Sequence, residues 1–176
     1  MRFIMMSCLM AVSLTVSANQ QITTEIPKAN NQPVLGHEET ARLFPGNIKI
    51  PARIDTGAAT NSMYGVDAEV IEQNGKQYVR FNFIDHNDEV HEMTRPLVDQ
   101  TVVKQASGKQ TRYVVEMGLC VGNYYKETRF TLADRSRMTF PILVGRNYLD
   151  KSLLVSSAEK NTVEPNCDVN LALNDL

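Results

Sequence analysis

No stretch of this 176-residue chain is long and apolar enough to span a bilayer comfortably. The longest apolar run covers about 14 residues, where a membrane helix needs roughly 20. A basic excess is also missing: Lys and Arg number 18 against 20 Asp and Glu, with a net charge of −2 and a pI near 5.9. That excludes a general nucleic-acid surface. Beyond the N-terminal segment no apolar pattern at helical spacing lasts three turns, so a helical bundle is excluded as well. Cysteine is scarce, at three residues. What is present is ordinary for a globular protein, 43% hydrophobic and 22% charged residues. A domain of this length buries about 68–70% of its unfolded surface and needs no metal staple.

The N-terminus is a separate object. Arg2 supplies positive charge, residues 3–16 are almost wholly apolar or small, and Val16-Ser17-Ala18 offers small residues for cleavage. This is the pattern of a secretory signal over residues 1–18, and it predicts an exported protein, in the periplasm or secreted. An uncleaved anchor, or a lipoprotein through Cys8, is the weaker alternative; after cleavage no stable membrane insertion is expected. Cys120 and Cys167 then remain, and an exported protein can join them in one disulfide or leave two free thiols.

Residues 19–33 are polar, lack periodicity and carry Pro27 and Pro33, so they read as a flexible lead-in. From Val34 the texture changes to short apolar runs cut by turn residues. Residues 48–54 alternate in strand fashion up to Asp55. Residues 77–84 put Val79, Phe81 and Phe83 on one face and Tyr78, Arg80 and Asn82 on the other, the signature of a half-buried strand. Asn74-Gly75, Ser107-Gly108 and Gly122-Asn123 sit between such runs as hairpin turns. Short helices are expected at residues 38–43 and 147–151. Strands every eight to twelve residues predict an all-β, closed or partly open barrel, with a folded domain over residues 34–157 and a tail over 158–176.

Chemistry concentrates in Arg53-Ile54-Asp55-Thr56-Gly57-Ala58. An apolar strand runs straight into an acid, and such an acid must be hydrogen-bonded, paired or neutralised. The glycine lets another backbone or a substrate come close. The bland alternative is a strand-terminating turn. A second stretch, Ile142-Leu143-Val144-Gly145-Arg146-Asn147, is a buried strand ending in glycine, then a basic residue and a short helix.

Together these two stretches resemble the paired signatures of retropepsin-like aspartic peptidases. The wider pattern is similar to a bacterial family labelled as ATP-dependent zinc proteases, found alone or fused to glutamate-ligase domains of the ATP-grasp class. It includes the Arg80-Phe81 strand, Pro96-Leu97-Val98-Asp99, Arg112-Tyr113-Val114-Val115 and the run from Met138 to Arg146. The resemblance implies an acid-protease barrel with Asp55 as the catalytic carboxylate. Thr56 would bond across a two-fold axis, Gly57 would admit a substrate strand, and Ala58 would line the first pocket. Gly145 would leave room beneath the catalytic loop, with Arg146 and Asn147 opening the helix. Retroviral members commonly have an acid after Asp-Thr-Gly-Ala that pairs with this Arg. Here Ala59 stands there, so Arg146 needs another partner.

The zinc and ATP parts of that label have no counterpart in these residues. His37-Glu38-Glu39-Thr40 lacks the second His of His-Glu-x-x-His, and residues 106–111 lack the glycine and Ser/Thr placement of a phosphate loop. His86 and His91, among Asp85, Asp88, Glu89 and Glu92, read as a solvated loop more readily than a metal site. Neither a cofactor nor a metal is called for. Because Asp-Thr-Gly occurs once, two fused halves are excluded and a homodimer giving Asp55 from each chain is expected. Its expected partner is an extended peptide, with a flap at residues 85–92 or 105–110. The alternatives are a non-catalytic peptide-binding module on the same barrel, or a metal-dependent hydrolase at the His86/His91 region.

Overall fold

A computed structural model describes residues 32–105, 108–150 and 152–167. The expected leader, most of the lead-in, Ser107 and residues 168–176 lie outside them. The chain runs β1 (Val34–Gly36), β2 (Glu38–Phe44), β3 (Ile48–Ile54), β4 (Asn61–Gln73), β5 (Lys76–Ile84), β6 (Val90–Gln105), β7 (Gly108–Val121), β8 (Tyr124–Ala133), β9 (Ile142–Val144), α1 (Arg146–Leu149) and β10 (Leu154–Ser156). This is the all-β barrel that the periodicity predicts, with one short helix among the described residues.

Six strands close a ring in the order β2, β3, β9, β4, β8, β7, and β7 returns to β2 through Ala41↔Val121 to Phe44↔Gly118. At a bulge between Val66 and Glu69, β4 leaves the ring and pairs with β5. The first half of β6 continues that layer on β5; its second half, past a bulge between Leu97 and Asp99, pairs with β7. A bulge adds one unpaired residue and bends its strand, which lets one long strand serve two layers.

Alternation decides which faces are buried. Val79, Phe81 and Phe83 are at most 1% exposed, while Arg80 and its neighbours face outward. Leu43, Ile50, Met63, Met117, Leu119 and Phe130 meet them in one continuous core. Burying each such side chain contributes about 1.5–3 kcal/mol. Asn74 and Gly75 both have positive φ, 53° and 74°, as the two-residue hairpin requires.

Two expectations change. Residues 38–43 form strand β2 and not a helix, with Glu39, Ala41 and Leu43 inward and Glu38, Thr40 and Arg42 outward. A charged residue at an inward position hid the period of two. Residues 158–167, expected as part of a tail, carry no strand or helix but run back along the barrel as a strap. Glu39, 1% exposed, holds it: Oε1 accepts Gly36 N–H (2.6 Å), Thr162 N–H (3.1 Å) and the Thr162 hydroxyl (2.5 Å), and Oε2 accepts Val163 N–H (3.3 Å). The strap ends at a disulfide between Cys120 and Cys167.

Candidate active site

Asp55 stands one residue past β3, whose last residues pair in parallel with β9. The ladder delivers it: Asp55 N–H donates to Val144 O at 2.9 Å. Asp55 Oδ1 accepts Gly57 N–H at 2.8 Å and Ala58 N–H at 3.2 Å, so the carboxylate caps its own loop. Asp55 and Ala58 are half-buried, while Thr56 and Gly57 are exposed. Exposed polar residues at the tip of a loop with a buried strand behind it are ready for a partner or a substrate.

The loop is gripped from one side. Arg146 Nη1 donates to Thr56 O (2.9 Å) and Gly57 O (2.8 Å), Arg146 N–H to Ala58 O (2.9 Å), and Asn147 N–H to Ala59 O (3.2 Å). Four successive loop carbonyls therefore accept from two consecutive residues. This supplies the partner that Ala59 denies to Arg146: main-chain carbonyls of the same chain replace a carboxylate. Gly145 is where the two segments touch. A Cβ there would lie 2.7 Å from the carbonyl carbon and oxygen of Thr60 and 3.0 Å from Ala58 O.

Beneath the grip lies Asn61, fully buried, which inspection of motifs did not single out. Its Oδ1 accepts Gly145 N–H at 2.8 Å, and its Nδ2 donates to the Thr128 hydroxyl and Arg129 O, both at 3.0 Å. Its own N–H donates to Asn147 Oδ1 at 2.9 Å. Asn147 Nδ2 shares the same acceptors, Thr128 Oγ1 (3.2 Å) and Arg129 O (2.9 Å). The two amides tie β4, β8, β9 and α1 into one network, and every amide group finds a partner. An amide at the entrance of an otherwise apolar strand, Asn61-Ser62-Met63, was the available signal. Tyr148 anchors the helix from behind: its buried hydroxyl accepts Val121 N–H and donates to Tyr124 O. Burial pushes this phenol well above its ordinary pKa, so it stays neutral.

Beside Thr56 and Arg146 opens a groove of about 320 Å³, walled by Leu149, Leu153, Leu154 and Val155. On another side stands Arg135, half-buried, its Nε donating to Phe140 O. Burial lowers its pKa first, and the nearby Arg112 charge lowers it further, while the Asp55 carboxylate acts in the opposite direction. Two cations thus lie within electrostatic reach of one another, and one of them feels Asp55.

The acidic and histidine cluster separates into two parts. His86, Asp88, Glu89 and Glu92 are exposed, as expected of a solvated loop. Asp85 is not: it is 7% exposed, and its Oδ1 accepts Asn87 N–H (2.8 Å) and Glu89 N–H (3.0 Å). His91 Nε2 lies 3.2 Å from its Oδ2. Burial raises the Asp85 pKa, but the bonds from Asn87, His91 and Glu89 together outweigh it and hold the carboxyl below its ordinary value. Ligand atoms of Asp85, Glu89 and His91 lie within 4.8 Å of one another. Since Asp85 already spends both oxygens on this turn, the arrangement reads as a staple closing the β5–β6 connection. No helix among the described residues is long and apolar enough to cross a membrane.

Comparison with known proteins gives three findings. The RimB-like family model, described as retropepsin-like aspartic endopeptidase RimB, matches residues 34–166. A probable alpha-L-glutamate ligase of Desulfotalea psychrophila is 31% identical over 132 residues, which are 71% of this chain and 28% of that one. One from Shewanella halifaxensis is 28% identical over 137 residues, 74% of this chain and 30% of the relative. The chain therefore spans under a third of the length of the curated relatives it matches. A Legionella pneumophila protein of unknown function has a solved structure that covers 75% of this chain and 98% of its own. Its TM-score is 0.66 at 26% identity.

Proposed function

The chain belongs to the RimB-like family of retropepsin-like aspartic endopeptidases, and on that premise we propose that it is an exported endopeptidase whose Asp55 carboxylates, one from each of two copies, hold the attacking water. The observation that carries this reading is the loop itself. Asp55 ends a buried strand in a fixed pose, its four following carbonyls are clamped, and Thr56 and Gly57 face outward. Fixing a reactive group in advance is where much catalytic power comes from.

Two carboxylates about 3 Å apart cannot both ionise, so the pair shares one proton. The ionised Asp55 takes a proton from the water as its oxygen bonds to the scissile carbonyl carbon, and the protonated Asp55 hydrogen-bonds the carbonyl oxygen. Collapse of the tetrahedral intermediate breaks the C–N bond, and the proton goes to the leaving amine. One water is consumed and one acid and one amine are released. In this reading Thr56 locks the two loops across the axis, Gly57 admits the substrate strand and Ala58 lines the first pocket. The groups that hold each loop in register are Gly145, Arg146 and Asn147.

Relatives named for ligating glutamate, together with Arg135 and Arg112 near Asp55, favour glutamate-rich peptides as the first substrates to test. Export to the periplasm is supported by the expected leader and by a disulfide, which persists in an oxidising compartment. The test is cleavage of glutamate-rich and mixed peptides below pH 6 by the chain from Asn19 onward. Activity should survive chelator, yield to a statine inhibitor and disappear in Asp55→Asn. Full activity in that variant would end the proposal.

A further inference from the structure

The terminal two-stranded sheet has two edges in different states. β1 and β10 are parallel partners, Val34↔Leu154, Leu35↔Val155 and Gly36↔Ser156, and among the described residues β10 pairs with β1 alone. Leu154 N–H donates to Pro33 O at 3.0 Å, which fixes the alternation along both strands. Leu154, Ser156 and Leu35 turn their main-chain groups inward between the strands, whereas Val34, Gly36 and Val155 turn theirs outward.

The outer edge of β1 is spent within the chain. Gly36 N–H donates to Glu39 Oε1 and to the Thr162 hydroxyl, and that hydroxyl lies 3.3 Å from Val34 O. His37 N–H continues the cap by donating to Glu159 O at 2.9 Å. The strap, tied by Glu39 and the disulfide, thus does for β1 what a neighbouring strand would do. Val155 has no such cap. Its edge opens on the apolar groove of Leu149, Leu153 and Leu154, whose far wall is Thr56 of the catalytic loop. An uncapped edge beside apolar side chains is a template for another strand.

We infer that this edge receives a second copy of the same chain. β10 pairs antiparallel with β10 of its mate, Val155 opposite Val155 on the two-fold axis, and the outer strands of the resulting four-stranded sheet remain each chain's own β1. This rests on the two-Asp55 reading above, which leaves the site incomplete in a single chain. Thr56 joins the two ideas physically, because it flanks Asp55 and lines the groove. Each copy presents one groove and one edge, so the contact is self-complementary and closes after two subunits.

Two variants of the mature chain test it beside wild type by sedimentation velocity, with peptide cleavage measured on the same samples. Val155→Pro removes the outward N–H without touching the bonds of Leu154 and Ser156, as edge positions tolerate. It should weaken association by about tenfold or more and lower cleavage with it. Val155→Cys is the positive test and keeps the backbone intact. Directly opposed strand residues have Cα atoms about 4.5–5.5 Å apart, within disulfide range, so mild oxidation should link the chains. A wild-type dimer whose Val155→Cys form does not link, or whose Val155→Pro form associates unchanged, overturns this contact and leaves the two-carboxylate reading standing. A wild-type monomer that cleaves peptide overturns both.

Discussion

Replacing Gly145 by Ala adds one methyl group at the narrowest point under the catalytic loop. The new carbon would sit 2.7 Å from both the carbonyl carbon and oxygen of Thr60 and 3.0 Å from Ala58 O. Carbon contacts are comfortable at about 3.5–4.0 Å, so relief requires a shift of roughly 1 Å. All the offended atoms are backbone, so no flexible side chain can give way. Either β9 and α1 sink or the loop lifts, and both movements stretch the bonds from Arg146 and Asn147 to residues 56–59. Overpacking of this kind costs about 1–3 kcal/mol in stability. A misplacement of about 1 Å at a reacting group costs on the order of a hundredfold in rate. The expected result is therefore a modest loss of melting temperature and a fall in kcat/KM of about a hundredfold, measured by peptide cleavage below pH 6 and by a thermal melt. The backbone of Gly145 has φ −97°, which any residue adopts, so conformational strain does not confuse the outcome. A variant with unchanged melting temperature and cleavage within a few-fold of wild type would refute the close-approach reasoning.

Asn61→Ala should destabilise the domain by about 2–4 kcal/mol, chiefly because the buried Gly145 N–H loses its acceptor while Thr128 and Arg129 keep Asn147. Urea unfolding with an unchanged slope checks it, and a loss under about 0.5 kcal/mol would remove Asn61 from the supporting network. Asp85 has a folded pKa below its ordinary value of 3.8, so its contribution is fully present above that value and fades as pH falls below it toward the folded pKa. Asp85→Asn should therefore lower stability at neutral pH and shrink the difference from wild type in acid. Parallel melting curves at pH 7 and pH 3 decide it; a gap that widens in acid would contradict the sign.

The barrel and the loop were legible before any coordinate. Val79, Phe81 and Phe83 alternate, Asn74-Gly75 marks its turn, and Asp55-Thr56-Gly57 follows an apolar strand, all within short windows of chain. β2 was not legible, because Glu39 occupies an inward position and breaks the pattern that identifies strands. Nor was the burial of Asp85, whose partners are two main-chain N–H groups and His91. Residue type says nothing about which backbone donors will converge on a carboxylate.

Sequence by itself determined where strands could form, which acid was unusual and how many copies of the motif exist, since those follow from local spacing and counting. Only the tertiary structure decided that Arg146 grips the loop carbonyls in its own chain, that Asn61 supports it, and that the segment after β10 caps β1 and leaves the Val155 edge open. The physical reason is separation along the chain. Asn61 meets Gly145 across 84 positions and Glu39 meets Thr162 across 123. Such partners become neighbours only when the sheet closes, and most of the groups they engage are main-chain amides and carbonyls that every residue carries alike.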